Sequence, residues 1–569
     1  MNSLTSKITL ILAIAAMGGL AAGCSPSEQV GETPAEDAVS KTTENQPTPP
    51  QRELDEESAL VRQRPMADAA GPERSSVQVT GSRTMSFSPE PMPYPHSSEI
   101  NRENYAAIET NPVKRVGEEP VSTFSIDVDT GSYSNIRRML NNGRLPPQDA
   151  VRVEEMINYF AYDYPVPEAG GAPFSVQVEQ ASTPWNENTR LLQIGLQGYR
   201  PDPESIPASN LVFLLDVSGS MNAPDKLPLL INSMKMLSRE LEKEDRVAVV
   251  VYAGASGLVL ESTPGDEHAT ISAALDRLSA GGSTNGGAGI ELAYAQARQG
   301  FIEGGVNRVI LATDGDFNVG NVNFEGLVDL VERQRESGIA LTTLGFGQGN
   351  YNDHLMEQLA DAGNGNHAYI DNLNEARKVL VDELTSTLMM IAKDVKIQIE
   401  FNPAVVAEYR LIGYENRLLD REDFNNDQVD AGDIGAGHTV TALYEIALTG
   451  SGGERVDPLR YQTETAQADP AGEMAFLRLR YKAPDADESQ LIEQPIELVE
   501  DPTMSPRLTW AASVAAFGQH LRGGQYLEGF DLDQILALAQ PARGEDPFGY
   551  RAEFTQLLRL AESQRQASQ

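Results

Sequence analysis

Residues 211–220 read Leu211-Val-Phe-Leu-Leu-Asp216-Val-Ser218-Gly-Ser220. Five consecutive apolar residues, with no polar residue between them, mark a strand covered on both faces. The run ends in two hydroxyls and a carboxylate at alternate positions. Outward from it, the same sentence repeats. A helix follows with Leu230, Met234, Leu237 and Leu241 on one face, then Val247-Ala-Val-Val-Val-Tyr252 and Gly257-Leu-Val-Leu-Glu261. A helix over Ile271–Leu278 precedes a glycine-rich loop and a helix near Ile290–Arg298. Strands at Arg308–Ala312, Ala340–Leu344 and His367–Ile370 alternate with further helices, and a helix over Leu373–Ile391 closes the unit. Repeating βα units with buried strands predict an α/β fold over 206–390, a doubly wound, mostly parallel sheet with helices on both faces. Ligands of such sheets bind at the carboxyl ends of the strands, where strand order reverses.

Three motifs fall at those ends. The first strand runs into Asp216-Val-Ser218-Gly-Ser220, the loop Gly281-Gly-Ser-Thr284-Asn-Gly-Gly287 supplies a threonine, and a later strand ends in Ala312-Thr-Asp314-Gly-Asp316. In that order and on those elements they resemble the metal-ion-dependent adhesion site of von Willebrand factor A domains. The resemblance implies a Rossmann-like fold and a divalent cation bound by Asp216, Ser218, Ser220, Thr284 and Asp314. In that family hydroxyls contact the metal, carboxylates act directly or through water, and one coordination position stays open. Five oxygen donors suit a hard ion, Mg²⁺ first, with Mn²⁺ or Ca²⁺ as alternatives. Hydroxyls neutralise nothing, so an ion held by two carboxylates favours a further carboxylate supplied by a partner. The glycines at 281, 282, 286 and 287 let backbone approach the ion closely. Asp316 reads as a solvated loop residue and Gly345-Phe-Gly-Gln-Gly-Asn350 as a turn on the same sheet edge. No GxxxxGK[ST] sequence occurs, so no nucleotide-driven chemistry is expected.

Composition bounds the rest. A chain of 569 residues predicts several domains. A formal charge of −39 repels nucleic acid phosphate and anionic lipid headgroups, which excludes both as direct partners. The single cysteine excludes an intrachain disulfide and a cysteine zinc cluster. It stands at Cys24, after Lys7, an apolar run from Ile8 to Met17 and the small residues Leu20-Ala-Ala-Gly23. The run is too short to span a bilayer and has the layout of a secretory signal. Its end resembles a bacterial lipobox, with Ala21 at the third position before the cysteine. Residues 1–24 are therefore expected to be a lipoprotein signal with Cys24 lipidated, which places the protein in the bacterial cell envelope. Where there are two membranes, Ser25 points to the outer one, since aspartate there commonly retains lipoproteins in the inner membrane.

Residues 25–97 hold 11 of the 34 prolines among Ser, Thr, Glu and Gln, a composition that cannot bury enough apolar surface to order itself. They read as a disordered tether with a reach of roughly 45–50 Å. Residues 98–205 read as an N-terminal α+β domain, with helical spacing at Val151, Val153, Met156, Ile157 and Phe160. Alternation follows at Phe174, Val176 and Val178 and at Leu192, Ile194 and Leu196. Within it, Asp127-Val-Asp129-Thr-Gly-Ser132 reads as a polar turn whose Asp and Thr side chains cap a helix opening near Tyr133, rather than as a second metal motif. Residues 391–569 read as a C-terminal β-then-α domain: Val395, Ile397, Ile399 and Phe401 alternate, and Trp510, Val514, Phe517 and Leu521 line one helix face. Asp423–Asp433 lacks the sixth-position glycine and the final glutamate of a calcium loop, and reads as an acidic turn before a strand at Thr439–Ile446. The flanks, through Phe124–Tyr133, Asp423–Ile446 and Ala542–Tyr550, resemble a bacterial lipoprotein-like family of the YfbK type. That resemblance brings an architecture and no activity.

Three functional classes follow. The leading one is a non-enzymatic, cation-dependent module binding another envelope or extracellular protein. A metal-dependent hydrolase in a flanking domain is the alternative, although no paired His/Asp/Glu cluster or nucleophile–base pair is present in the sequence. A purely structural domain is the third. Loss of binding with chelator, turnover of substrates, or indifference to both separates them.

Overall fold

The computed structural model describes residues 107–568 together with Glu103 and Tyr105, apart from residues 169, 284–285, 316–323, 350, 458, 461–471 and 485. The signal segment with Cys24 and the tether 25–97 lie outside the described residues. The first flank holds β1 (Lys114–Arg115), β2 (Val121–Ser125), α1 (Gly131–Asn141), α2 (Val153–Asn158), β3 (Phe174–Thr183) and β4 (Asn186–Gly198). The central unit runs β5 (Ser209–Asp216), α3 (Leu227–Leu237), β6 (Arg246–Tyr252), β7 (Ser256–Pro264), α4 (His268–Leu275), α5 (Gly286–Gln299), β8 (Val306–Thr313) and α6 (Phe324–Arg335). It continues through β9 (Ala340–Phe346), α7 (Asp353–Ala362), β10 (His367–Ile370), α8 (Leu373–Arg377) and α9 (Leu384–Leu388). The second flank holds β11 (Met390–Phe401), β12 (Val406–Ile412), β13 (Gly432–Gly435), β14 (Thr439–Leu448), β15 (Glu473–Lys482) and β16 (Gln490–Glu497). Helices α10 (Pro506–Leu521), α11 (Leu532–Ala539) and α12 (Tyr550–Ser568) complete it.

The central sheet has the order β10-β9-β8-β5-β6-β7, parallel except for the β6–β7 hairpin. This is the doubly wound sheet expected from the buried runs. Successive residues of a strand face opposite sides, and β5 divides accordingly. Leu211, Phe213 and Leu215 meet Leu230, Met234 and Leu237 of α3, while Val212 and Leu214 meet Ile290, Ala293 and Ala297 of α5. From β5 the chain first builds β6 on one side, then returns to build β8 on the other. The crevice at that reversal lies between the carboxyl ends of β5 and β8.

The flanks do not form two separate bodies as 98–205 and 391–569. One antiparallel sheet has the order β1-β12-β14-β4-β3, so strands of the second flank lie between strands of the first. The other has the order β13-β11-β15-β16, and β2 of the first flank pairs with β11. Their inner faces share one core, in which Ile194, Leu196, Ala442 and Tyr444 meet Ile397, Ile399, Leu477 and Leu479. The opposite face of the first sheet, through Leu191, Ile412 and Leu443, carries α1, α2, α10, α11 and α12. The central unit is thus an insertion between β4 and β11 of a helix-covered β-sandwich. The ends of the insertion lie close, since a Cβ added to Gly198 would stand 2.8 Å from Ile391 Cδ1.

Two local expectations change. The helix over Leu373–Ile391 is broken: α8 ends at Arg377, a π-turn covers Lys378–Asp382, and β11 has begun by Met390. Tertiary contact fixes the last piece, α9: the Ser386 hydroxyl donates to the Ala436 carbonyl, and a Cβ on Gly435 would lie 1.8 Å from the Ser386 carbonyl oxygen. Helix α10 is buried all round, Trp510 and Phe517 completely, rather than along one face. Among the described residues, no helix is long and apolar enough to cross a membrane.

Candidate functional site

Asp216 closes β5 and Asp314 follows Thr313 at the end of β8, so the sheet register brings both carboxylates to the crevice. Both are completely buried. Asp216 Oδ1 accepts the Ser218 backbone N–H at 2.8 Å, which turns the chain back over the strand end, and Asp216 Oδ2 accepts the Thr313 hydroxyl at 3.0 Å. The Ser218 and Ser220 hydroxyls are 3.0 Å apart, Ser218 buried and Ser220 exposed, so the site opens to solvent along Ser220. Gly219 N–H donates to the Gly282 carbonyl and Gly281 N–H to the Val217 carbonyl, tying the glycine-rich loop to the serine loop. Thr284 of that loop, and Asp316, lie outside the described residues. Burial pushes the Asp216 carboxyl up to about 6, against bonds from the Ser218 backbone and hydroxyl, with Asp314 adding to the rise.

Four of the five residues singled out in the sequence therefore converge. Two buried carboxylates with two hydroxyls make an oxygen-only donor set, the chemistry that a hard divalent ion takes. Among the described residues no group of three or more His, Cys, Asp or Glu side chains could hold a metal ion, so a cation here would be held by mixed hydroxyl and carboxylate oxygens.

One cation already reaches the crevice. The Lys226 ammonium lies 2.9 Å from Asp314 Oδ2, with its side chain 9% exposed. Lys226 is the N-cap residue of α3, and Pro228 sets the helix start that aims it there. Sequence reading missed this residue, although Pro228 marked a helix opening just beyond the serine loop. The Lys226 stem crosses Gly347 in the rim turn after β9, where a Cβ would lie 2.3 Å from its Cγ. The Tyr369 hydroxyl donates to the Gly347 carbonyl, and Gly349 N–H donates to Glu103, which pairs with Arg138 of α1 at 3.0 Å.

The turn Asp127–Ser132 has a different role from helix capping. Helix α1 does open at Gly131, but Thr130 makes no side-chain cap bond, and Glu155 accepts the Ser132 N–H at 2.7 Å. Asp129 instead accepts the His367 N–H at 2.8 Å, docking the first flank on the edge strand β10, and Arg417 lies 3.4 Å from both Asp127 and Asp129. The acidic turn before β14 is stapled to the β15–β16 hairpin: Asp427 accepts from Arg480 at 3.1 Å and from the Ser489 hydroxyl.

Comparison with known proteins places these parts. Residues 210–383 match the model of the von Willebrand factor type A domain, 99–193 match one described as von Willebrand factor, and 386–564 match one described as uncharacterized protein YfbK, C-terminal. The uncharacterized protein YfbK of Escherichia coli (strain K12) is 50% identical over 485 residues, covering 83% of this chain and 84% of its own. An uncharacterized Synechocystis protein is 29% identical over 187 residues, 33% of this chain and 43% of that one. Among solved structures, a von Willebrand factor type A protein from Catenulispora acidiphila aligns at 16% identity with a TM-score of 0.36, over 66% of this chain and 88% of its own. Domains of the type A class commonly serve as protein-interaction modules.

Proposed function

The chain belongs to the YfbK family of proteins built around a von Willebrand factor A domain, and from that premise we propose that it is a divalent-cation-dependent protein-binding module of the bacterial cell envelope. The observation that carries this reading is the convergence of buried Asp216 and Asp314 with the Ser218–Ser220 hydroxyl pair at the strand-order reversal. Asp216, Ser218, Ser220, Thr284 and Asp314 are the ligand set, with Mg²⁺ the expected ion. When bound, the ion supplies an electrophilic position for one further oxygen ligand. The protein's residues hold it and leave the Ser220 side open, where a carboxylate of another envelope or extracellular protein completes the shell. Lipidated Cys24 and the tether 25–97 hold the module at a membrane.

Ligand that binds only the folded state stabilises it, by about 2.7 kcal/mol at a hundredfold excess over Kd. Mg²⁺ or Mn²⁺ should therefore raise the melting temperature, chelator should reverse the rise, and Asp216→Ala should abolish it while leaving the fold. Crosslinked pull-down from envelope fractions should recover a partner only without chelator. Retention of both responses by Asp216→Ala would falsify the ligand assignment. Cys24→Ser should release the protein from membranes, and continued membrane fractionation would end the anchor proposal.

A further inference from the structure

If a divalent ion binds at Asp216 and Asp314, it arrives where Asp314 already has a cation. Lys226 is not draped over the surface. Its ammonium is 2.9 Å from the buried carboxylate, and its stem lies so close over Gly347 that a Cβ there would be 2.4 Å from its Cε. Gly347 has φ +74, a conformation that also favours glycine, so the turn under the lysine is doubly restricted to that residue.

We propose that Lys226 is a built-in counter-cation that makes ion loading and acidic-ligand binding cooperative. This rests on the metal-site reading above and adds to it a statement about regulation. Both carboxylates are removed from water, so charge balance governs what binds beside them. Without metal, the lysine offsets one of two carboxylates, which would otherwise repel each other at close range. With a divalent ion bound, ion and ammonium together exceed the two carboxylates by one positive charge. Like charges in a partly desolvated site repel strongly. One more carboxylate, from a bound partner, restores balance. Counted over the described residues, a site without the lysine would be neutral once the ion had bound and would have no such demand. Lys226 therefore stabilises the metal-free protein, weakens binding of the ion alone, and strengthens binding of ion and carboxylate together.

The test uses the full chain, Mn²⁺ as the ion and acetate as the carboxylate, with Mn²⁺ affinity read by titration calorimetry or the loss of free-Mn²⁺ paramagnetic resonance. Wild type should bind Mn²⁺ severalfold more tightly in acetate than in chloride at equal ionic strength. Lys226→Met should bind Mn²⁺ alone about tenfold more tightly than wild type, respond little to acetate, and melt lower than wild type in chelator. Lys226→Gln serves as a second neutral variant with the same expectation. Unchanged or weaker Mn²⁺ binding by the neutral variants overturns the proposal, as does a wild type indifferent to acetate, a result that needs no variant. Failure of every form to bind Mn²⁺ under either condition rejects the metal site itself, and with it this proposal.

Discussion

His438, just before β14, illustrates how a single group sets pH dependence. Burial holds its imidazole down at about 4, and its Nδ1 is inaccessible to solvent with no hydrogen-bond partner. An unfolded histidine takes its proton near 6.5. Between those values the unfolded chain binds a proton that the folded one refuses, so stability falls as pH drops from about 6.5 towards 4. Buried Glu154 and half-buried Asp433, both raised to about 7 by desolvation, act in the opposite sense. The comparison that isolates His438 is wild type against His438→Gln. Relative to the variant, wild type should lose roughly 1 kcal/mol per pH unit in urea melts between pH 6.5 and 4.5. Parallel curves would show that the ring is hydrated. At this scale the sequence was readable where residues share a local sentence. Asp216, Ser218 and Ser220 lie in one turn, and strand order alone brings Asp314 to them. Lys226 carries no motif, because its role depends on meeting Asp314 across the crevice.

The element scale is governed by how helices are held, and here buried charge matters more than propensity. Arg137 of α1 is 1% exposed and reaches out of its own flank to Asp371 and to Glu375 of α8 in the central unit, and to Glu553 of α12. The Tyr159 hydroxyl accepts from its guanidinium at 2.9 Å and donates to Glu375 at 2.8 Å. Removing one partner of such a cluster leaves charge buried without compensation, at a cost of about 3–5 kcal/mol. Arg137→Met should lower the denaturation midpoint accordingly. A loss under about 1 kcal/mol would show that water enters and replaces it. Helices α3 and α5 were legible because each buries one face on the sheet. Helix α10 buries more than the stripe of Trp510, Val514, Phe517 and Leu521, since all its faces are covered, and α9 is held where the Gly435 strand presses on Ser386.

At the scale of the whole molecule, the sequence shows its middle plainly and conceals how its ends are joined. The central strands are adjacent or nearly so in the chain, so their order can be inferred from βα repetition. The flanking strands pair across the insertion, as when Ile194 of β4 meets Ala442 of β14, and no periodicity records a partner that distant. Residues 391–569 alone lack β2 and β4 and should give no cooperative melt, whereas 98–205 joined to 391–569 by a short flexible linker should recover a sheet signal in far-ultraviolet circular dichroism. A cooperative transition in the isolated 391–569 fragment would mean that the flanks are independent after all. The same interleaving has a consequence for how the protein is made. On a ribosome, β4 emerges paired with β3 on one edge, but with Leu192, Ile194 and Leu196 uncovered and with β14, its partner on the other edge, still unsynthesised. At about 5–20 residues per second, Ala442 follows Ile194 after roughly 12–50 s. The central unit, whose contacts are local, can fold in that interval. The half-sandwich cannot, so the nascent chain must wait with an apolar strand exposed, which makes β4 the natural landing point for a chaperone.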